Sequence, residues 1–170
     1  MATSRKILTL AMVRKANKIL LGLKKKGFGE GKWNGFGGKV EKGETICEGA
    51  IRFCESTELL RSKELEEESG LIAKNLVKIG ILDFEFVGDP VILEVHVYDI
   101  IDYEGEPRES EEMLPQWFSV DDIPYDKMWA DDLIWYPLYL KGDKFKAYFL
   151  YQGFDTILKH EITPLEHLSL

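Results

Sequence analysis

The chain has 170 residues, of which 45% are hydrophobic, 31% are charged and 12% are aromatic. Nine Phe, seven Tyr and four Trp exclude a fully disordered protein, because disordered segments lack enough apolar side chains to form a core. No apolar run approaches the roughly 20 residues that a membrane-spanning helix needs, so we expect no membrane partner. At this length we expect one domain over residues 1–170, whose folding buries about 70% of the surface of the unfolded chain.

The formal net charge is −8, which argues against binding nucleic acid through its phosphate backbone. Residues 1–29 carry eight basic side chains and no acidic one, a bias shared with mitochondrial transit peptides. Their apolar residues nevertheless follow a strand pattern. Because there are two cysteines and no secretory leader, we expect a reducing, cytoplasmic location, with partial mitochondrial or nuclear localisation left open. Nothing in the sequence demands an assembly, so a monomer is expected.

The first half of the chain predicts a hairpin, a loop and a long helix. Two β-rich runs, Ile7–Val13 and Ile19–Lys24, are joined by a polar turn. Residues 27–43 hold seven glycines and predict a segment that is neither strand nor helix, where the backbone can approach a ligand closely. A helix is predicted over Glu44–Ser69, with Gly70 as its C-terminal stop.

The second half predicts mostly strands. In chain order we expect strands over Val77–Val87 and Val91–Ile100, an acidic loop over Asp102–Pro115, a short strand over Gln116–Val120, a helix over Asp131–Leu140 interrupted near Pro137, and strands over Lys144–Tyr151 and Thr156–Ile162. Strands outnumber helices, and the mixture indicates an α+β fold.

Three acidic residues near the end of the predicted long helix have the clearest chemical pattern. Glu64, Glu67 and Glu68 stand at i, i+3 and i+4, so one helical face presents all three carboxylates. Like charges this close repel each other, and divalent cations that prefer oxygen ligands, such as Mg²⁺ or Mn²⁺, would neutralise them. The plain alternative is a solvated acidic helix face.

The spacing around these residues resembles the Nudix box. Gly38 precedes Glu44 by five intervening residues, and Arg52 follows after seven more, as in that motif. The resemblance implies a Nudix fold: a mixed β-sheet core flanked by helices as an α/β/α sandwich, with a catalytic loop–helix–loop. The sequence departs from the motif at Phe53–Lys63, eleven extra residues between Arg52 and Glu64.

The insertion at Phe53–Lys63 bears directly on the geometry of the proposed site. As continuous helix, eleven residues would add about 16 Å along the axis. That shift would separate the glutamates from the glycine loop with which, by the resemblance, they share metal ions. We therefore expect the insertion to bulge out of the helix, or the helix to restart near Ser62.

Further segments resemble one branch of the Nudix family, the MutT homologues that hydrolyse oxidised purine nucleoside triphosphates such as 8-oxo-dGTP and 2-hydroxy-dATP. They are KGFGEGKWNGFGGKV, FEFVGDP, ESEEMLPQWF, MWADD, KFKAYF and YQGFDTI. The resemblance implies a Mg²⁺-dependent enzyme that converts a purine nucleoside triphosphate to the monophosphate and pyrophosphate. It assigns catalysis to Glu64, Glu67 and Glu68, and metal binding to these three residues together with the Gly38 carbonyl and Glu112.

The base pocket is predicted from aromatic and amide side chains and a carboxylate pair. Trp129, Phe84 and Phe28 could enclose a purine face, and an amide can read a base edge. In a closed pocket, desolvation and repulsion should keep either Asp131 or Asp132 protonated. Core packing and helix capping are the plain alternatives. With the residues that the resemblance adds, among them Thr9, Lys24 and Leu93, those expected to contact substrate are Thr9, Lys24, Phe28, Asn34, Phe36, Gly37, Gly38, Lys39, Phe84, Leu93, Trp129, Asp131 and Asp132.

Two other functions remain open at this stage. The same chemistry could act on dinucleotide polyphosphates or nucleotide sugars, which need room for a second moiety. Alternatively, if the insertion dismantles the metal site, the protein could be a nucleotide-binding module without catalytic activity.

Overall fold

A computed structural model of the chain describes residues 4–39, 52–53, 60–61 and 68–166. Within these residues one α-helix is described in full, α1 (Asp132–Lys141), preceded by a short 3₁₀ helix at Tyr125–Lys127, and Glu68 and Ser69 are also helical. The strands are β1 (Ser4–Lys15), β2 (Lys18–Lys24), β3 (Trp33–Asn34), β4 (Phe36–Lys39), β5 (Arg52–Phe53), β6 (Leu60–Arg61), β7 (Ile72–Ala73), β8 (Val77–Phe86), β9 (Val91–Ile100), β10 (Tyr103–Glu104), β11 (Met113–Ser119), β12 (Lys144–Gln152) and β13 (Thr156–Leu165).

Nine of the strands form one mixed sheet. Its main path is β11-β2-β1-β9-β8-β12-β13, with β3 paired to β2 and β4 paired to β1. The β1–β9 and β8–β12 pairs are parallel, and the other pairs in the sheet are antiparallel. This mixed sheet with its helix confirms the predicted α+β class. The second helical layer of the predicted sandwich falls on residues outside the described ranges.

Alternation along β1 separates the hydrophobic core into two clusters, one on each face of the sheet. Leu10 and Met12 pack in the cluster beneath α1, with Trp135, Tyr136 and other buried side chains. The intervening Ala11 and Val13, together with the fully buried Phe36, belong to the second cluster. No helix in the described ranges has the length and apolar character needed to cross a membrane.

The predicted hairpin is present, and its strands extend further than expected. Lys15 pairs with Lys18, so β1 and β2 are joined by the two-residue turn Ala16–Asn17. Ala16 adopts a φ of 54°, the left-handed conformation that two-residue hairpin turns require at their first central position. Because the backbone twist of such a turn matches the twist of the two strands, β1 and β2 can pair right up to the turn.

The glycine-rich segment contains two strands, so the prediction that it is neither strand nor helix was wrong. Strand β4 pairs with β1, placing Gly37 opposite Leu10 and Gly38 opposite Thr9. A Cβ added to Gly37 would lie 1.9 Å from the carbonyl oxygen of Thr9. This close approach requires glycine, and it brings the backbone of the loop onto the central sheet.

The predicted helix over Glu44–Ser69 is interrupted by two short strands at the insertion, where a bulge or a restart of the helix is expected. Strands β5 and β6, which lie inside that span, are paired antiparallel, with Arg52 opposite Arg61 and Phe53 opposite Leu60. Thus the inserted segment leaves and returns at neighbouring positions, in agreement with the predicted bulge. Glu68 and Ser69 are helical, and Gly70 has a φ of 82°, which confirms the helix stop. Residues 44–51, 54–59 and 62–67 of this prediction lie outside the described ranges.

The predicted acidic loop over Asp102–Pro115 is partly strand. Strand β10 lies within this segment and pairs with β7. Strand β11 begins at Met113, three residues before the predicted strand Gln116–Val120. Pro115 lies inside β11 opposite Gly22. Because β11 is an edge strand, it tolerates a residue without a backbone N–H.

Helix α1 runs through Pro137 without the predicted interruption. Proline removes the bond from its own N–H to the carbonyl four residues earlier, here that of Leu133. Leu133 is 61% exposed, so water can reach this part of the helix. The helix ends at Gly142, whose φ is 85°, and its buried face is anchored by Trp135 and Tyr139.

Candidate active site

A cavity of about 1220 Å³ opens between the sheet, the 25–32 loop and the β12–β13 turn. It is lined by twelve of the thirteen residues that the sequence assigns to substrate binding, and also by Glu68 and Glu112. Phe36 is the exception, because it does not line the cavity and is fully buried in the second core cluster. The prediction that Phe36 contacts substrate is therefore corrected to a packing role beside Gly22, whose added Cβ would lie 2.9 Å from its ring.

One end of the cavity is polar and contains the end of the glutamate motif. Glu68 is 5% exposed, and its Oε2 accepts a hydrogen bond of 3.3 Å from the Gly37 N–H. The glycine loop and the last glutamate of the motif therefore meet, despite the eleven-residue insertion between Arg52 and Glu64. The predicted distance problem does not arise at this pair.

Two more predicted residues lie near this polar end. Lys24 Nζ is 3.3 Å from a carboxylate oxygen of Glu112, and both residues line the cavity. The Lys24–Glu112 pair places a positive charge and a carboxylate oxygen, a potential metal ligand, beside the glycine loop. Lys39, at the end of β4, also lines the cavity but is exposed.

The predicted metal ligands are only partly described. Glu64 and Glu67 lie outside the described ranges, and within those ranges no group of three or more His, Cys, Asp or Glu side chains could hold a metal ion. The donors present are the carboxylates of Glu68 and Glu112 and the backbone of Gly38. Oxygen donors of this kind fit a hard divalent cation.

The other end of the cavity contains two adjacent buried carboxylic acids. Asp131 and Asp132 are each 2% exposed. Asp131 Oδ1 accepts a 2.5 Å hydrogen bond from the Tyr151 hydroxyl, and Oδ2 accepts one of 2.8 Å from Trp135 Nε1. Although Asp131 occupies the N-cap position of α1, its side chain makes no capping hydrogen bond. Simple capping therefore does not explain this residue.

The environments of these two acids favour different protonation states. Burial raises the pKa of Asp131, opposed by the hydrogen bonds from Tyr151 and Trp135. Burial also raises the pKa of Asp132 well above its usual value, and the neighbouring charge of Asp131 raises it further. The hydrogen bonds therefore favour the charged form of Asp131, and the surroundings of Asp132 favour its protonated form. A protonated carboxyl donates a hydrogen bond where its charged neighbour accepts one.

Aromatic side chains form one wall of the cavity. Phe28 stacks on Trp129, with ring centroids 5.1 Å apart and an interplanar angle of 27°. Phe84 stacks instead on Phe149, at 5.7 Å. A base between two rings needs a separation of about 7 Å, twice the optimal carbon–carbon contact distance. Phe28 and Trp129 thus contact each other directly and leave no gap for a base between them.

The remaining predicted base-pocket residues surround this aromatic wall. Asn34 Oδ1 accepts a 2.8 Å hydrogen bond from the Gly35 N–H, which orients the amide so that its NH₂ group is the donor available to a ligand. Thr9 is 6% exposed and lies beside Gly38 in the β1–β4 ladder. Leu93 lines the cavity from β9.

Two functional side chains were missed in the sequence. Tyr151 and Trp135 hold Asp131 through direct hydrogen bonds. Alternation along Lys144–Tyr151 places Phe145, Phe149 and Tyr151 on one buried face, a signal that predicts burial of Tyr151. Trp135 is four residues after Asp131, the spacing at which helical side chains meet.

Comparison with known proteins adds a family and named relatives. A family model described as NUDIX domain matches residues 4–139. An oxidized purine nucleoside triphosphate hydrolase from Danio rerio is 50% identical over 163 residues, covering 96% of this chain and 97% of that protein. A protein of the same name from Mus musculus is 47% identical over 166 residues, covering 98% and 99% of the two chains.

Solved structures share the fold. The mMutator MutT protein from Bacillus halodurans matches with a TM-score of 0.77 and 24% identity, covering 92% of this chain and 97% of that one. The MutT protein from Methanosarcina mazei Go1 matches with a TM-score of 0.64 and 22% identity, covering 83% and 96%. The mixed sheet and its helix are therefore arranged as in MutT proteins.

Proposed function

The chain belongs to the NUDIX family, and from this premise we propose that it hydrolyses oxidised purine nucleoside triphosphates to the monophosphate and pyrophosphate. The observation that carries the proposal is the juxtaposition of a polar end, where Glu68 meets Gly37, with a closed end holding Asp131 and Asp132. Both ends belong to one cavity. The names of the two relatives, which align over nearly the whole chain, support the same substrate class.

The closed end supports recognition of one purine edge. Asp132 presents an O–H donor, and Asp131 keeps acceptor capacity because a carboxylate oxygen has a second lone pair. The Asn34 amide adds a further donor. A site that pairs each donor and acceptor can reject a base with the wrong edge by about 10⁴-fold, because its buried polar groups are then left unpaired.

The polar end supports a metal-dependent reaction at the triphosphate. Nudix hydrolases generally use a divalent metal ion, and we propose Mg²⁺, held by the Gly38 carbonyl, Glu64, Glu67, Glu68 and Glu112. When bound, such an ion lowers the pKa of the attacking water and polarises the phosphate oxygens.

The chain's own residues supply the rest of the reaction. Glu67 or Glu68 takes the proton of the water that attacks the phosphorus nearest the nucleoside. The bond between that phosphorus and the bridging oxygen breaks, and pyrophosphate leaves. Lys24 and Lys39 balance the negative charge of the triphosphate.

The extent of the domain is also a proposal. Strands β12 and β13 lie beyond the family match at residues 4–139, yet they complete the main sheet through the β8–β12 pair. This continuity supports one domain over residues 1–170. A monomer in the cytoplasm stays a prediction from the sequence.

A second candidate function is favoured by the size of the cavity. At about 1220 Å³, it exceeds the usual range of about 300–1000 Å³ for small-molecule sites, so a dinucleotide polyphosphate or nucleotide sugar could fit. The contact between Glu68 and Gly37 argues against the third candidate, a module whose metal site is dismantled by the insertion.

A substrate panel separates these functions. Mg²⁺-dependent pyrophosphate release is measured for 8-oxo-dGTP, 2-hydroxy-dATP, dGTP and dATP, and ADP-ribose hydrolysis is measured alongside. We expect the oxidised triphosphates to be hydrolysed faster than dGTP, dATP and ADP-ribose. This hydrolysis should be lost in Glu67→Gln and kept in Glu161→Gln, a control variant at an exposed residue. Faster turnover of ADP-ribose would establish the second candidate. Tight binding of 8-oxo-dGMP without pyrophosphate release would establish the third.

A further inference from the structure

Phe154 is an aromatic residue at the mouth of the cavity that the proposed reaction does not yet use. It lies in the three-residue turn between β12 and β13, after Gly153, whose φ is 67°. Its side chain is 57% exposed, although it lines the cavity. A large apolar ring held at an open mouth has no role in core packing.

The ring of Phe154 contacts three other rings from separate parts of the chain. It meets Phe28 edge-on at 5.5 Å between centroids, Trp129 edge-on at 6.1 Å, and Phe86 at 6.0 Å. Phe28 is itself 58% exposed and lies in the 25–32 loop. Phe154 therefore touches both members of the stacked Phe28–Trp129 pair.

Two further contacts fix the loop relative to the turn. Lys32 Nζ is 3.1 Å from Asp155 Oδ1, in the residue after Phe154, and lies 5.3 Å from the centroid of the Trp129 ring. Gly29, at a φ of 84°, brings its backbone so close that an added Cβ would be 3.3 Å from Trp129 Nε1. The loop thus contacts Trp129 through Phe28, Gly29 and Lys32.

We propose that Phe154 is a positioning residue that holds Phe28 against Trp129 and so sets the width of the aromatic wall that receives the purine. The inference rests on the proposed function. Since 5.1 Å separates the two rings, a base stacks beside the pair and not between its members. The affinity for the base then depends on where Phe28 is held. A ring fixed in place before binding loses less conformational freedom when the ligand arrives.

The expected effect lies in binding rather than in chemistry. Removing the Phe154 ring should weaken binding of 8-oxo-dGMP about threefold to tenfold, the range expected for the loss of aromatic pairs. KM for 8-oxo-dGTP should rise by a similar factor while kcat stays within about twofold, since uniform binding is lost. The variant should also discriminate less well than the wild type against nucleotides whose bases stack weakly.

The test measures 8-oxo-dGMP binding by calorimetry for Phe154→Ala, Phe154→Tyr and Leu158→Ala. Tyrosine keeps the ring and should bind as the wild type does, and Leu158 is a control because it is 52% exposed on β13 outside the cavity lining. A double-mutant cycle with Phe28→Ala asks whether Phe154 acts through Phe28. If it does, Phe154→Ala has no further effect once Phe28 is truncated.

The outcomes separate this inference from the proposed function. Wild-type affinity in Phe154→Ala, or effects of Phe28→Ala and Phe154→Ala that simply add, would overturn the positioning role while leaving the hydrolase intact. If the wild-type protein releases no pyrophosphate from any oxidised purine triphosphate and does not bind 8-oxo-dGMP, the proposed function fails and the inference fails with it.

Discussion

Asp131 and Asp132 are adjacent, equally buried carboxylic acids that differ in their hydrogen bonds. Both oxygens of Asp131 accept hydrogen bonds, from Tyr151 and Trp135. Asp132 Oδ2 is buried without a hydrogen-bond partner among the described residues. The hydrogen bonds to Asp131 favour its charged form, whereas burial and the neighbouring charge of Asp131 raise the pKa of Asp132.

Replacing Asp131 with asparagine should cost stability. One carboxylate oxygen becomes an NH₂ group, which either faces the Trp135 N–H, so that two donors meet, or takes away the acceptor of the Tyr151 hydroxyl. We expect the free energy of unfolding to fall by about 1–3 kcal/mol, the cost of an unsatisfied buried polar group. In Asp132→Asn the amide replaces a neutral acid, and a smaller loss is expected. Urea denaturation of both variants checks this order, and a larger loss in Asp132→Asn would contradict it.

The raised pKa of Asp132 predicts a specific dependence of stability on pH. The folded protein holds this proton to a higher pH than the unfolded chain, whose value is near 3.8. The contribution of Asp132 is therefore complete below that value and is lost as the pH rises through the folded pKa. The free energy of unfolding is measured for the wild type and for Asp132→Asn from about pH 4 to about pH 8. The value for the wild type should fall relative to that of the variant as the pH increases. A gain with rising pH would mean that Asp132 is the charged member.

Much of the sheet could be predicted because its strands carry their own pattern. Strand β9 has the predicted bounds, Val91–Ile100, since a long β-rich run follows Pro90. Helix α1 differs by one residue at each end from the predicted 131–140, because the stop at Gly142 is a local signal. An interruption of the helix over Glu44–Ser69 could be predicted from the insertion, but the β5–β6 pair could not, since it depends on a contact across the insertion.

The glycine-rich strands and the partners of Asp131 could not be predicted from local pattern. Strand β4 has two glycines among its four residues, so it shows no alternation, and it is strand only because β1 pairs with it. Burial of Tyr151 follows from alternation, but its hydrogen bond joins residues twenty positions apart. Tertiary contacts of this kind are set by the whole fold.

Substitution of Gly37 by alanine should be severely destabilising. The added Cβ would lie 1.9 Å from the Thr9 carbonyl oxygen, and the β1–β4 ladder would have to separate. We expect a loss of about 3 kcal/mol or more, at the upper end for overpacked sites. Gly88→Ala is the matched control: its φ of 87° is strained, but no atom lies within 4 Å, so about 1–2 kcal/mol is expected. Equal losses in urea denaturation would show that the close approach at Gly37 costs no more than the positive φ at Gly88.

Glu68→Gln should separate metal binding from base binding. Glutamine can still accept the hydrogen bond from the Gly37 N–H, but it removes the negative charge from a side chain that is 5% exposed. We expect turnover of 8-oxo-dGTP to fall about 100-fold or more, while 8-oxo-dGMP binding without metal stays within about twofold. Glu161→Gln, on exposed β13, controls for loss of charge alone. Unchanged turnover in Glu68→Gln would remove this residue from the metal site.

Deletion of the insertion tests whether the site tolerates it. Arg52 and Arg61 are paired across an antiparallel ladder, where Cα atoms lie about 4.5–5.5 Å apart, so most of the insertion begins and ends at neighbouring points of the fold. We expect deletion of Phe53–Lys63 to leave urea stability within about 1 kcal/mol, because loop length contributes weakly, and 8-oxo-dGTP turnover within about threefold. Replacing residues 54–59 with Asn-Gly, which retains β5 and β6, is the matched control. If the deletion variant turns over 8-oxo-dGTP much faster, the insertion impairs catalysis. If the deletion variant is unfolded, the β5–β6 ladder is required for folding.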